Sequence, residues 1–355
     1  MAWGMEVTPF VGVGLVIKPY RRGRAQPTRP PAEELRGGHL RHRKRGIRMP
    51  WVHLEHGLMD IAAQKRATVV PTGAALGADI AGVDLSAPMD DATFAAVEAA
   101  WHEHLVLRFR GQQLDDPGLL AFARRFGELD KAPVHAVDDA EHDPFPEITV
   151  MSNIKVNGKS IGNLGHYEAE WHTDMSYNER TPIGSLLYSL EVPAQGGDTG
   201  FSNMYRAVET LPAELKRAII GKSCKHDSSR NSVGDLRKGF KDVTDPREAP
   251  GAVHPLVRTH PATRRNALFL GRRRNAYIVG LALDESEDLL NRLWSHAGKP
   301  EFAWYQQWKV GDLILWDNRS AMHRRDAFDP NARRLMHRTQ VRGDKPYFDP
   351  ATITG

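Results

Sequence analysis

His172 and Asp174 stand two residues apart in the run Glu170-Trp171-His172-Thr173-Asp174. In an extended strand such residues point to one face, about 7 Å apart along the chain. An imidazole and a carboxylate so placed can converge on one metal ion. Two protein ligands rarely hold a catalytic metal, so a third is required from elsewhere in the chain. Two histidines and one carboxylate leave positions open on iron(II) for a cosubstrate and O₂. The same spacing also occurs on a solvated strand with a hydrogen-bonded histidine, so the pair needs support from the rest of the chain.

Two further runs could bind anions. Gly196-Gly197-Asp198-Thr199-Gly200-Phe201 combines a tight turn with a small hydroxyl at Thr199 that can hydrogen-bond a carboxylate. It reads equally as an ordinary hairpin turn. In Arg333-Arg334-Leu335-Met336-His337-Arg338, residues 334, 336 and 338 share one strand face. The guanidiniums of Arg334 and Arg338 are then rooted about 13 Å apart. Arginine grips carboxylates bidentately. Aimed inward, the two would need anionic partners; aimed outward, they are ordinary surface arginines.

These residues need a scaffold, and the chain supplies alternating strands and helices. Residues 67–73 and 80–85 read as short strands, and residues 90–104 as a helix with Phe94, Val97, Ala100 and Trp101 at spacings of three and four. A buried strand follows over 105–111, then a helix over 115–126 stopped at Gly127. Strands are expected at 148–152, 184–193, 267–270 and 313–318. A helix is expected over 210–221, with Thr210 as N-cap, Pro212 in the first turn and Gly221 at its end. Another runs over 284–296 with a capping box between Asp284 and Glu287. Residues 153–167 read as a loop of the kind that can close over a site. Residues 222–266 are polar and irregular, an excursion from the core.

Composition bounds the function. The 355 residues are long enough for one large domain. A single cysteine, Cys224, rules out an internal disulfide framework and a cysteine-built zinc or iron–sulfur site, and fits a reducing, cytoplasmic setting. No run approaches the ~18 apolar residues of a membrane span. The net charge is +4, yet residues 1–50 hold eleven Lys and Arg against three Glu, a net +8, which leaves −4 on the remainder. The basic character therefore belongs to the N-terminal segment.

That segment, residues 1–66, is rich in Arg, Pro and Gly and shows no sustained period, so it is expected to be a disordered basic extension. It reads as a plain tail or an upstream extension ahead of a start at Met49 or Met59; a targeting segment is the third reading, which its acidic residues and Pro cluster fit poorly. The basic run 41–45 could touch nucleic acid, but five residues are more often solvated.

Taken together, His172-x-Asp174, Gly-Gly-Asp-Thr199, Trp316-Asp317-Asn318-Arg319 followed by His323, Arg334, and Met336-His337-Arg338 resemble the taurine/2,4-dichlorophenoxyacetate dioxygenase family. The resemblance covers about Ala67 to Tyr347. It implies an α+β chain built on a double-stranded β-helix (jelly roll) with flanking helices over 67–347, followed by a tail at 348–355. It implies Fe(II), 2-oxoglutarate and O₂ as cofactor and cosubstrates, and release of succinate and CO₂ as a substrate C–H bond is hydroxylated. His172, Asp174 and His323 match the iron ligands. Thr199 and Arg334 match the pair that holds the distal carboxylate of 2-oxoglutarate. Arg338 matches the arginine that meets the anionic group of the substrate, and Trp171 and Phe201 are expected to line the pocket. Asp174 occupies the position that a related halogenase leaves open for chloride, so hydroxylation is the expected outcome.

One departure bears on the substrate. The taurine enzymes carry a His-Pro-x-Tyr run, where this chain has Ala132-Pro133-Val134-His135. Weight therefore moves to a small anionic aryloxyalkanoate like 2,4-dichlorophenoxyacetate, with His135, and also His166, as residues that could approach it. A taurine, alkylsulfonate or sulfate-ester oxygenase is the alternative within the family. A non-catalytic jelly-roll binding protein and a zinc hydrolase are the alternatives outside it. No membrane partner is expected, nucleic acid is not favoured, and a homo-oligomer stays open. His166, His226, His254, His260 and His337 lack a partner at metal spacing, and His337, on the opposite strand face from Arg338, is expected to be structural.

Overall fold

The protein is described by a computed structural model covering residues 67–132, 144–162, 166–167, 169–271 and 274–353. The expected extension at 1–66, the alternative starts within it and His135 lie outside the described residues. Among the described residues no helix is long and apolar enough to cross a membrane.

The most apolar run of the C-terminal third, Leu313–Asp317, forms a strand buried at every position. It lies in the middle of a seven-stranded sheet ordered Thr68–Pro71, Ala78–Ala81, Val106–Phe109, Leu313–Asp317, Gly184–Glu191, Leu335–Val341, Thr149–Ser152. All neighbours are antiparallel except Ala78–Ala81 against Val106–Phe109. That parallel pair needs a crossover, and the helix Asp91–His104 provides it.

Period-two alternation splits the central strand between two cores. Leu313 and Leu315 join Val97, Trp101, Leu119 and Leu120 of the helices Asp91–His104 and Asp116–Ala123. Ile314 and Trp316 join Leu187, Met336, Phe201 and Met322 on the other face. Phe201 and Met322 belong to a second, four-stranded antiparallel sheet ordered Ala303–Gln306, Thr199–Asn203, Ala321–Arg325, Ala169–His172. The two sheets thus share a core, and the site lies where they meet. Gly184 lets Trp101 pack tightly on the first sheet, since a Cβ there would come within 2.8 Å of the indole.

Both early helices begin where their side chains can cap them. Asp90 accepts from the Thr93 N–H at 2.7 Å and Asp115 from the Gly118 N–H at 2.8 Å. Elsewhere the chain departs from expectation. Residues 204–219 make two helices, Met204–Glu209 capped by Asn203 and Ala213–Ile219 capped at Pro212, so Thr210 ends a helix instead of starting one. The helix Leu283–Ala297 begins one turn-position earlier than expected, and it is Glu285 that reaches back, to the Ala282 N–H at 3.2 Å.

Residues 222–266 are no excursion. Ser223–Lys225 pairs with Val253–Pro255 and with Tyr277–Ile278, and Val257–Thr259 pairs with Asn266–Leu268. Residues 349–352 lie against that hairpin, the Asp349 N–H donating to Thr259 Oγ1 at 3.0 Å and Thr352 to Asn266 at 3.0 Å. Within 153–167 the described residues form a two-stranded hairpin, Lys155–Val156 with Lys159–Ser160.

Candidate metal centre

His172 ends the strand Ala169–His172, and His323 is its cross-strand partner on Ala321–Arg325. Their rings lie 4.2 Å apart, centre to centre, inclined at 48°. Asp174 follows the strand end by two residues, and its Oδ1 lies 3.8 Å from the Nε2 of each histidine. All three side chains are buried. Among the described residues this is the one group of His, Cys, Asp and Glu spaced to hold a metal ion.

The tautomer of His172 follows from its neighbour. Its Nδ1 is 2.7 Å from the Glu170 carbonyl oxygen, which can only accept. Nδ1 therefore carries a proton, and Nε2 is the nitrogen turned toward Asp174. With Nε2 deprotonated, as a metal ligand must be, its lone pair would repel the carboxylate oxygen unless a cation lay between them. Burial by itself would raise the Asp174 pKa, but the Arg338 guanidinium, the two imidazoles and the Ser185 hydroxyl outweigh it and hold the carboxyl well below the usual range. The donor set, two nitrogens and one ionised oxygen, fits a non-heme iron(II) site.

A cavity of about 290 Å³ opens over the triad, lined also by Thr199, Arg325, Arg334 and Arg338. The Gly196–Gly197 turn, with φ of +74° and +70°, delivers Thr199 to it. A Cβ on Gly196 would come within 2.7 Å of the Ala327 carbonyl, so the turn depends on glycine there. The Trp308 indole N–H donates to Thr199 Oγ1 at 3.0 Å, which leaves the hydroxyl proton for a ligand.

Arg334 is 3% exposed, and among the described residues no carboxylate reaches it; its Nε has no hydrogen-bond partner. Burial, with the nearby charge of Arg325, pulls its pKa down to about 9. Arg325 is itself pulled down to about 10 by burial. The Arg338 Nη1 donates to both Asp174 oxygens, at 3.1 and 3.3 Å. Among the described residues that line the cavity, Asp174 is the one carboxylate beside these arginines, so the lining suits anions.

Other expected residues fall elsewhere. Trp171 does not line the cavity over the triad; it lines a second cavity of about 560 Å³, to which His172, Asn231 and Ser232 also contribute. Phe201 lines neither cavity; it is fully buried against His323, Trp304 and Trp316. His166 lies beside Phe328 and does not line the cavity of the triad. His260 is bonded to Asp317 at 3.0 Å and His337 to Asp116 at 2.6 Å, both as structural pairs.

Sequence reasoning passed over Arg325 and the cavity residues Asn231, Ser232, Arg237 and Lys238. Arg325 was within reach, because it stands two residues after His323 on one strand. The 231–238 group carries no period or motif that would have marked it.

The profile of the taurine catabolism dioxygenase TauD, TfdA family matches residues 68–340. The chain is 33% identical over 299 residues to a pentalenolactone F synthase of Streptomyces avermitilis, covering 77% of this chain and 93% of that protein. It is 32% identical over 276 residues to an alpha-ketoglutarate-dependent 2,4-dichlorophenoxyacetate dioxygenase of Burkholderia sp. (strain RASC), covering 75% and 91%. Among solved structures it resembles AAD-2 in complex with Mn(II) and N-oxalylglycine, with a TM-score of 0.64 and 30% identity over 79% of this chain and 99% of that one.

Proposed function

The chain belongs to the taurine catabolism dioxygenase TauD, TfdA family and is a 2-oxoglutarate-dependent, non-heme iron dioxygenase; on that premise we propose that it hydroxylates an aryloxyalkanoate whose carboxylate is held by Arg338. In this reading the two large sheets close as a double-stranded β-helix spanning residues 67–347. When bound, Fe(II) and 2-oxoglutarate supply the activation of O₂, with succinate and CO₂ released as one oxygen atom enters a substrate C–H bond.

The observation that carries the reading is the buried guanidinium of Arg334, without a carboxylate partner among the described residues, in the cavity that Thr199 also lines. A buried cation without a counterion is strongly unfavourable, so the pocket is shaped for an anion that arrives with function. The distal carboxylate of 2-oxoglutarate answers that need, with the Arg334 fork and the Thr199 hydroxyl as its donors. His172, Asp174 and His323 hold the metal from one side. Arg338 stands next to the Asp174 carboxylate with its Nε unpartnered, within reach of a second anion near the metal. An anionic group fixed there orients the rest of the substrate, and orientation is the larger part of what a protein adds to this chemistry. An ether carbon hydroxylated beside its oxygen would collapse and cleave.

The test is succinate release by the Fe(II)-loaded protein with 2-oxoglutarate and O₂. Phenoxyacetates, phenoxypropionates, alkylsulfonates including taurine, and sulfate esters form the panel, with Asp174→Ala as control. Stimulation by the phenoxy acids is expected, with a large rise in their KM on Arg338→Met and no change on deleting residues 1–48. Stimulation by taurine or a sulfate ester and not by the phenoxy acids would overturn the substrate assignment and leave the dioxygenase in place.

A further inference from the structure

The run Trp316-Asp317-Asn318-Arg319 contributes no candidate metal ligand, yet it sits directly behind one. The Trp316 indole nitrogen can only donate, and it lies 2.9 Å from Asn318 Oδ1. That contact fixes which way the Asn318 amide points. Its Nδ2 then donates to Ser185 Oγ at 2.8 Å. Gln340 must turn its NH₂ toward the Asp174 carboxylate, which only accepts, and the same nitrogen reaches Asp174 Oδ2 at 3.2 Å and Ser185 Oγ at 3.1 Å.

A hydroxyl has two acceptor lone pairs and one proton. Both acceptor positions of Ser185 are filled by amide N–H groups, so its proton has one place left to go. Asp174 Oδ2, 3.0 Å away, receives it. Oδ2 thus takes hydrogen bonds from Ser185, Gln340 and Arg338. Oδ1 takes only the Arg338 Nη1 among these donors, at 3.1 Å, and is the oxygen that faces both imidazole nitrogens.

We propose that Trp316, Asn318, Ser185 and Gln340 are positioning residues that fix Asp174 as a one-oxygen metal ligand, with Oδ2 held by the protein and Oδ1 presented to the cation. The proposal rests on the metal reading of the triad. Ser185 pairs in register with Trp316 on one side and Gln340 on the other, so the relay crosses three adjacent strands at the centre of the sheet. All four residues are at most 5% exposed. A polar row through an otherwise apolar core is unfavourable unless every member is satisfied, and here each bond also sets the direction of the next. Trp316 reaches a second ligand as well, its ring 4.9 Å from that of His323.

The test is a calorimetric titration of the full metal-free chain with Mn(II), without 2-oxoglutarate, alongside thermal melting. Ser185→Ala deletes the donor to Oδ2. Asn318→Asp keeps the shape and the acceptor for Trp316 but removes the N–H that fills Ser185, which draws the serine proton away from Asp174. Each is expected to weaken Mn(II) binding about tenfold to a hundredfold, the usual range for groups that orient a ligand. Trp316→Phe is expected to weaken it less, in the same direction. A folded Ser185→Ala or Asn318→Asp chain that binds Mn(II) as tightly as the parent overturns the proposal, as does a lowered melting temperature with unchanged affinity. Should one variant fail to fold, the other decides. A parent that binds no better than Asp174→Ala would strike the metal centre itself, a different result from equal binding by parent and relay variants.

Discussion

His172 and His323 are register partners on adjacent antiparallel strands, so the spacing of the two imidazoles is set by the sheet and not by a loop. The register shifts between His323 and Arg325, the latter pairing with Ala169. Such an irregularity re-aims side chains next to functional sites, and here it lies where Arg325 enters the cavity beside the metal ligands. A site carried on paired strands holds its geometry better than one carried on loops. The chain can therefore keep its buried charges apart before any ligand arrives.

Arg334→Met is predicted to separate binding from stability. Methionine keeps the length and the apolar stem and removes the charge. If the guanidinium holds the distal carboxylate of 2-oxoglutarate, the KM for that cosubstrate should rise by about tenfold to a hundredfold, the value of one to two charge-assisted hydrogen bonds. The ligand-free chain should melt at a higher temperature, because an unpaired buried cation has been removed. Steady-state kinetics and a melting curve on the same sample check both halves. An unchanged KM would show that Arg334 does not hold the cosubstrate.

Phe201 and Trp171 should part company, although both are aromatic neighbours of metal ligands in sequence or space. Phe201→Ala removes a fully buried ring packed on His323, Trp304 and Trp316. It should cost about 3–5 kcal/mol of folding stability, as expected for truncating a buried phenylalanine. Trp171→Ala empties a half-buried position that lines the second cavity and not the one over the triad. It should leave the KM for the substrate unchanged. Denaturant unfolding and substrate titrations distinguish the two. A raised substrate KM for Trp171→Ala would place the tryptophan in the binding pocket after all.

How far the sequence reached follows the physics of each region. The strand Leu313–Asp317 and the helices capped by Asp90 and Asp115 were legible because burial and capping are local. The candidate ligands His172, Asp174 and His323, which the fold brings together, were legible because their spacing and motif mark them. Residues 222–266 were not, since His226, His254, Arg258 and His260 are polar by composition yet buried by strands distant in sequence. Thr210 misled because it has the chemistry of a cap, but Leu211 is buried and the backbone of Pro212, with ψ of 138°, leaves the helical range there. The relay behind Asp174 lay out of reach, since Ser185 and Gln340 meet only across paired strands.

His226 should make the protein lose stability as the pH falls. Its ring is 2% exposed, stacks on Phe269 at 5.4 Å and meets His254 edge-on at 5.3 Å. Neither ring nitrogen has a partner among the described residues, and a Cβ on Gly271 would come within 1.9 Å of Nδ1, so the imidazole lies flush on that glycine. Burial, and then the neighbouring His254, push its pKa down from 6.5 to about 3. Between those values the unfolded chain binds a proton that the folded chain refuses. Stability therefore rises with pH across this window, by up to ~1.4 kcal/mol per pH unit from this residue, and is unaffected by it at higher pH. His226→Leu removes the titrating group and keeps an apolar side chain of similar volume. Urea unfolding of both chains between about pH 6 and pH 4 should show a shallower fall in the variant, the remainder arising from other groups such as His254. Equal slopes would mean that the buried imidazole takes up its proton in the folded state, and so that this pocket is not the apolar enclosure its neighbours make it.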